Sequence, residues 1–262
     1  ANLLILSKNR NKIVKNKKIK KQFTKKIADN LILSLPYSLT KSQKNVVEEI
    51  NRDLLSKKRM FRILQGDVGS GKTIVSLISA ANVVDSGFQV GLMAPTEILA
   101  KQHFNLALKT FKEFNIKIEL LTGKTESKNK KIILEKLRTK KIDFLIGTHA
   151  LFQKKVEFQK LGLIIIDEQH KFGVRQRMNL AKKGGDNCDV LLMSATPIPR
   201  TMMMSIYGDM DVSKITEKPL NRKEVVTLSK PENKIGEIIN FIKKKIDIKE
   251  QVFWVCPLID ES

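Results

Sequence analysis

The sequence predicts an α/β fold in which a mostly parallel β-sheet carries helices on both faces. Short runs rich in Ile, Leu and Val alternate with longer stretches that have helical spacing. Strands that are buried on both faces of a parallel sheet read as continuous apolar runs of this kind. The six runs are FRILQ, QVGLMAP, IKIELLTG, IDFLIGTH, LGLIIIDE and DVLLMSAT.

Polar clusters close most of these runs. The clusters are GDVGSGKT, APTE, GTH, DEQH and SATP. The carboxyl ends of parallel strands meet at one edge of the sheet, and ligands of open α/β sheets bind beyond that edge. The sequence therefore predicts a single site built from these clusters.

The composition indicates a globular, strongly basic protein. With 262 residues, 42% of them apolar, the chain can bury a sizeable core. Its 49 Lys and Arg against 27 Asp and Glu give a net charge of +22, which would attract phosphate polymers or anionic lipid. A lysine-rich proteome would give the same excess without a functional reason. Aromatic residues make up only 6%, so base-stacking platforms are not indicated.

The cysteines and the apolar runs bear on the cellular setting. Cys188 and Cys256 are the two cysteines, and their separation fits neither a disulfide framework nor a zinc site. The apolar runs are far shorter than the roughly 20 residues that span a bilayer, and no signal peptide opens the chain. We predict a cytoplasmic protein that makes no membrane contact.

Changes in pattern along the chain predict three segments. Residues 1–34 form a basic helical lead-in, because ten Lys or Arg and a single acid, Asp29, fall within the first 30 positions; a solvated charge run and a DNA contact both stay open. Residues 35–217 carry the regular α/β pattern. Residues 218–262 contain a linker, a predicted helix from Ile235 to Ile246 and the apolar run VFWVC, which predict the truncated start of a second domain.

The stretch GDVGSGKT fits the phosphate-binding pattern G-x-x-x-x-G-K-[ST]. A strand-like run precedes it and a helical run follows, so backbone N–H groups and a helix N-terminus would face an anion together. Lys72 would reach the terminal phosphates and Thr73 would hold Mg²⁺, whereas a flexible turn needs neither residue. We predict a site for ATP and Mg²⁺. Its cofactor-binding residues are Gly66, Asp67, Val68, Gly69, Ser70, Gly71, Lys72 and Thr73.

Two adjacent carboxylates close the run LGLIII. At the end of so apolar a strand, Asp167 and Glu168 are costly unless a cation offsets their charge. Asp167 is the predicted metal ligand, together with Thr73, and Glu168 is the predicted base that orients the attacking water. The alternative is a helix N-cap formed by either acid.

Five motifs resemble the motor of the RecG-type ATP-dependent DNA helicases of superfamily two. They are QGDVGSGKT, MAPTEILAKQH, IGTHALFQ, DEQHKFGVRQR and SATPIPRT, and the likeness runs from about Leu35 to the end of the chain. Related translocases that couple transcription to repair share parts of these motifs but usually carry a second acid at the position of Gln169.

The resemblance implies a fold and an activity. The fold would be a RecA-like P-loop NTPase lobe with the start of a second lobe. The activity would be that of an ATP-dependent DNA helicase or translocase acting on branched DNA in repair and recombination. A transcription-repair translocase, a non-catalytic lobe that binds nucleotide and DNA, and an RNA helicase are the alternatives. Because the second lobe supplies an arginine to the reaction, the resemblance also implies that this chain alone hydrolyses ATP feebly. A wedge domain that binds DNA junctions would be missing as well.

The resemblance also assigns roles to individual residues. Gln169 and His170 would link hydrolysis to DNA movement, beside the catalytic Lys72, Asp167 and Glu168. The predicted coupling residues are Ser194, Ala195, Thr196 and Arg200. The predicted contacts to the DNA backbone are Pro95, Thr96, Glu97, His103, Gly147, Thr148 and His149.

Three predicted site residues have structural alternatives: Thr96, His103 and Gln43, the last of which is predicted to bind the nucleotide. Thr96 is also an ordinary N-cap, and His103 could be a solvent-facing helix residue. Gln43 resembles a glutamine that reads adenine, yet the sequence TKSQ also fits a capping box with Thr40.

Overall fold

The predicted α/β class is confirmed by the computed structural model. The chain divides into two compact units, residues 1–220 and 221–262. The first unit contains a seven-stranded sheet in which every pairing is parallel. The residues that the structure describes are 18–167, 185–196, 210–217 and 226–255.

Six of the seven strands coincide with the apolar runs of the sequence. The strands are β1 (Phe61–Gly66), β2 (Gln89–Met93), β3 (Ile118–Leu121), β4 (Phe144–Gly147), β5 (Leu161–Ile166), β6 (Asp189–Ser194) and β7 (Asp211–Ile215). Their order across the sheet is β3-β4-β2-β5-β6-β1-β7. Every residue of β5 and β6 is buried, as expected for central strands with both faces covered.

The seventh strand was not predicted from the sequence. β7 pairs with β1 at one edge of the sheet, and its sequence DVSKI mixes buried with exposed positions. An edge strand needs a ladder partner on one side only and keeps part of its surface in water. In β7 the polar residues Asp211, Ser213 and Lys214 interrupt the apolar run, whereas β3 at the opposite edge lies in the run IKIELLTG.

Helices cover both faces of the sheet, and their apolar residues form two separate core clusters. Alternate residues of β5 point to different clusters: Leu163 and Ile165 belong to one, and Ile164 and Ile166 to the other. The helices in the described residues of this unit are α1 (Lys26–Ser34), α2 (Lys41–Leu55), α3 (Lys72–Asp85), α4 (Glu97–Thr110) and α5 (Ser127–Arg138). In the described part of the chain, no helix is both long enough and apolar enough to cross a bilayer.

The described part of the basic lead-in is not simply a solvated charge run. Lys18 and Lys21 are buried, and their ammonium groups lie 2.7 and 2.5 Å from the carboxylate of Asp189 at the start of β6. Two buried cations are tolerated because they share an anion that replaces their lost hydration. The predicted basic helix is present from Lys26 onward, as α1, which packs on α3.

The second unit is described only between residues 226 and 255. The predicted helix is present there as α6 (Ile235–Asp247), after a 3-10 turn at Glu232–Lys234. The apolar run VFWVC, which we expected to begin a second sheet as a strand, forms no strand over residues 252–255. A strand needs a neighbour for its backbone hydrogen bonds, and the described part of this unit provides none. The division into lead-in, lobe and second-lobe start stays a prediction.

Candidate active site

The glycine-rich stretch between β1 and α3 has the geometry of a phosphate-binding loop. Gly69 and Gly71 have φ of 76° and 90°, values that favour glycine. Gly71 is the N-cap of α3 and forms no side-chain cap, so the N-terminus of this helix faces the loop, where an anion can bind. The predicted strand, loop and helix are thus in place.

The side chains of the loop fit a bound phosphate. The Lys72 ammonium donates to the carbonyl oxygens of Gly66 and Asp67 at 2.6 and 3.0 Å, so it lies over the loop. Ser70 is buried, and among the described residues its hydroxyl has no hydrogen-bond partner, which is rare for a buried polar atom. A side chain at position 66 would crowd this space, because a Cβ added to Gly66 would come within 2.5 Å of the Ser70 hydroxyl. Thr73 follows Lys72 in the first turn of α3, where it could hold a metal ion next to the phosphates.

Asp167 lies directly after β5, at the same edge of the sheet as the loop. Its backbone N–H donates to the Met93 carbonyl at 2.9 Å, which ties it to the end of β2. One carboxylate oxygen, Oδ2, lies 2.7 Å from Nε2 of His103. Magnesium beside nucleotide phosphates is typically held by one or two protein groups, so Thr73 and Asp167 together fit this ion.

Gln43 forms the capping box at the start of α2. Its backbone N–H donates to the Thr40 hydroxyl at 3.2 Å, and its side-chain oxygen accepts from the Thr40 N–H at 2.9 Å. Its amide nitrogen donates to the Ser70 carbonyl at 2.8 Å. The capping-box alternative is confirmed, and the same side chain supports the phosphate-binding loop. Adenine recognition by Gln43 stays a prediction.

Replacing Gln43 with alanine separates these two roles. We expect the free energy of unfolding to fall by about 1–2 kcal/mol, because the cap and the bond to Ser70 are both lost. Urea denaturation without nucleotide measures this change. If Gln43 also reads adenine, the preference for ATP over GTP falls too. Thr40→Ala is the matched control, since it removes the cap but keeps the amide; unchanged stability in Gln43→Ala would contradict the structural role.

These observations place a phosphate-binding loop and an acid at the carboxyl edge of a parallel sheet. A model of the DEAD/DEAH box helicase family matches residues 40–205, which contain both. The chain belongs to this helicase family.

Similarity to individual helicases extends over most of the chain. The ATP-dependent DNA helicase RecG of Thermotoga maritima is 48% identical over 244 residues, which cover 93% of this chain and 31% of the relative. RecG of Bacillus subtilis is 46% identical over 244 residues, covering 93% and 36%. A solved structure of RecG bound to a three-way DNA junction has a TM-score of 0.85 and 42% identity, and covers 98% of this chain and 34% of that one. The chain thus spans about a third of the length of these relatives, and they fit the RecG-type interpretation better than the transcription-repair alternative.

Three of the predicted coupling residues, Ser194, Ala195 and Thr196, lie beside the phosphate-binding loop. Ser194 ends β6 and stands in register with Gln65, the penultimate residue of β1. Its hydroxyl donates to the Thr196 carbonyl at 3.0 Å and lies 3.2 Å from the Thr196 hydroxyl, while Ala195 lies between them in the turn. The Ser-Ala-Thr turn therefore adjoins the loop, although its role in coupling stays a prediction.

The predicted DNA-contact residues lie at the other half of the same edge, after β2 and β4. Thr96 follows Pro95 and caps α4 by accepting from the Leu99 N–H at 3.2 Å, so the N-cap alternative is confirmed. Glu97 accepts from the Lys124 N–H at 3.3 Å, after β3. DNA contact by these three residues stays a prediction.

The segment after β4 combines a structural glycine with a buried hydroxyl. A Cβ on Gly147 would collide with the Leu121 carbonyl oxygen, so close packing of β3 on β4 is sufficient reason for glycine here. Thr148 is buried, and its hydroxyl has no hydrogen-bond partner in the part of the chain that the structure describes, whereas His149 is exposed. Of these three residues, the structure leaves His149 the most accessible to DNA.

His103 is not the solvent-facing residue that one alternative predicted. Only 9% of its side chain is exposed, and its ring nitrogen bonds to Asp167. The buried stripe of α4 consists of Ala100, His103 and Ala107, which is the pattern that could have revealed it: a polar residue between two alanines at helical spacing. A buried ring bonded to a carboxylate is poorly placed for a phosphate contact.

Four predicted site residues lie outside the described part of the chain. They are Glu168, Gln169, His170 and Arg200.

Proposed function

We propose that this chain is the nucleotide-binding motor lobe of an ATP-dependent DNA helicase or translocase that acts on branched DNA. The observation that carries the proposal is the meeting of a phosphate-binding loop and Asp167 at one edge of the sheet. Between β1 and β5 lies a single strand, β6, so the loop and the acid flank the same space. The relatives reported above are named ATP-dependent DNA helicases, and a solved RecG structure that is 42% identical to this chain is bound to a three-way DNA junction.

The residues of the loop would bind and orient the nucleotide. Lys72 and the N-terminus of α3 supply positive charge to the phosphates, and Thr73 and Asp167 would hold Mg²⁺. Bound Mg²⁺ would neutralise charge that develops on the transferred phosphoryl group. Three of the four buried polar side-chain atoms without a partner in the described residues belong to this edge of the sheet: Gln65 Nε2, Ser70 Oγ and Thr148 Oγ1.

DNA would bind mainly through its phosphates. The net charge of +22 supplies the attraction, and contacts of this kind carry little sequence information. The residues after β2 and β4 would form the DNA side of the edge, next to the nucleotide side. A cytoplasmic location stays a prediction from the sequence.

The test compares ATP hydrolysis by this chain with hydrolysis by the full-length protein. We expect the full-length protein to hydrolyse ATP faster with a three-way DNA junction than with linear duplex of equal length, and this stimulation should weaken steeply as salt rises. The 262-residue chain alone should bind Mg·ATP but turn it over feebly. Equal stimulation by RNA would favour an RNA helicase, and nucleotide binding without any DNA-stimulated turnover in the full-length protein would favour a non-catalytic lobe.

A further inference from the structure

A direct contact joins the predicted DNA side of the sheet edge to the predicted metal site. His103 lies in α4, which follows β2, and Asp167 follows β5. The two side chains meet at 2.7 Å, with 9% and 11% of their surfaces exposed. A short hydrogen bond shielded from water holds its partners more firmly than an exposed one.

The geometry defines what the contact does to Asp167. An ionised carboxylate can only accept, so Nε2 of His103 donates to Oδ2. The backbone of Asp167 is already fixed by its bond to Met93. The histidine adds a constraint on the side chain, which sets the direction in which the carboxylate presents its oxygens.

The helix that carries His103 is held close to the sheet. Ala100 and Ala107, one turn before and one turn after the histidine, are both 0% exposed, and their small side chains permit a close approach of α4. The same helix begins at Thr96 and Glu97, two of the predicted DNA-contact residues. A shift of the first turns of α4 would therefore be transmitted to the carboxylate.

We propose that His103 is a positioning residue that orients Asp167 for Mg²⁺ and ties the metal site to helix α4. This inference rests on the proposed function, since it concerns the same metal site. Hydrogen-bond partners of metal ligands typically change metal affinity or activity by about 10- to 100-fold when they are removed. His103 would belong to this class without touching nucleotide or metal.

The test measures how strongly Mg²⁺ improves nucleotide binding by the 262-residue chain. The probe is fluorescently labelled ADP, and its Kd is determined with excess Mg²⁺ and with EDTA. The Mg²⁺ effect is the Kd in EDTA divided by the Kd in Mg²⁺. In His103→Ala we expect this ratio to fall toward one by about tenfold or more, while the Kd in EDTA stays close to that of wild type. His103→Gln should restore most of the ratio, because its amide nitrogen can donate from a similar position.

Controls distinguish this role from general damage. Gln102→Ala changes an exposed neighbour in the same helix and should leave the ratio unchanged. If wild type binds no nucleotide, the proposed function fails. If wild type binds and His103→Ala keeps the full Mg²⁺ effect, only the inference is overturned. A His103→Ala variant that loses affinity equally with Mg²⁺ and with EDTA also overturns it, since that pattern indicates a merely structural residue.

Discussion

Replacing Asp189 with alanine is expected to lower the free energy of unfolding by about 3–5 kcal/mol. Asp189 is 0% exposed and accepts hydrogen bonds from Lys18, Lys21 and the Met60 N–H. Its removal leaves the Met60 N–H without its acceptor and the two buried ammonium groups without their anion. Lys18 and Lys21 then keep the carbonyl oxygens of Asp53 and Asn187, which carry no full charge. Burial already lowers the pKa of Lys18, because desolvation outweighs the attraction of Asp189. Without that attraction the pKa falls further, so the buried charged lysine is disfavoured.

Urea denaturation followed by circular dichroism measures the loss. Asp85→Ala is the matched control. The Asp85 carboxylate accepts hydrogen bonds from the Thr24 N–H and hydroxyl at 2.8 and 3.0 Å, so it holds the same lead-in segment, but at the surface. We expect the free energy of unfolding to fall by about 1 kcal/mol in this variant. Asp189→Asn keeps an acceptor for the Met60 N–H and removes the charge, so it should fall between the two. Equal losses for Asp189→Ala and Asp85→Ala would contradict the role assigned to the buried cluster.

The alkylation rate of Cys188, the residue before Asp189, offers a second measurement of the stability of this buried cluster. The thiol is 0% exposed, and burial raises its pKa to about 12, so it is protonated and inaccessible to alkylating reagents near neutral pH. In a Cys256→Ser background, alkylation of Cys188 therefore reports opening of this region. If Asp189→Ala costs 3–5 kcal/mol, alkylation should accelerate by more than about 100-fold, because each 1.4 kcal/mol is a factor of ten.

Local sequence patterns predicted the central strands and the phosphate-binding loop because local forces determine them. A run such as LGLIII can only be buried on both faces, and the glycines at 69 and 71 allow a backbone that few other residues adopt. These features need no knowledge of distant parts of the chain. The same holds for the capping box of α2, which is complete within four residues.

Features that depend on distant partners could not be predicted in this way. The burial of Lys18 requires Asp189, 171 residues further along the chain, and no local pattern distinguishes it from the solvated lysines around it. The contact of His103 with Asp167 spans 64 residues. In both cases a polar residue is stabilised in the interior by a single charged partner, and only the fold determines which partner it meets.

Replacing Lys72 with alanine is expected to weaken Mg·ATP binding about 10- to 100-fold. Its side chain is almost fully buried, and its ammonium lies over the carbonyls of Gly66 and Asp67 at the loop. A hydrogen bond to a charged group is typically worth about 1.5–3 kcal/mol. Phosphates that lose this ammonium keep the helix N-terminus, the backbone N–H groups and the Mg²⁺ that Thr73 and Asp167 would hold. Calorimetric titration of the 262-residue chain measures the change.

The control must separate a specific contact from the loss of one positive charge among many. Lys112→Ala removes an exposed lysine from the same unit, lowers the net charge by the same amount and should leave nucleotide affinity unchanged. DNA affinity without nucleotide should fall only slightly in both variants, because a single phosphate contact at most is lost. If Lys72→Ala binds Mg·ATP as tightly as Lys112→Ala, the loop does not hold the triphosphate, and the proposed motor function fails with it.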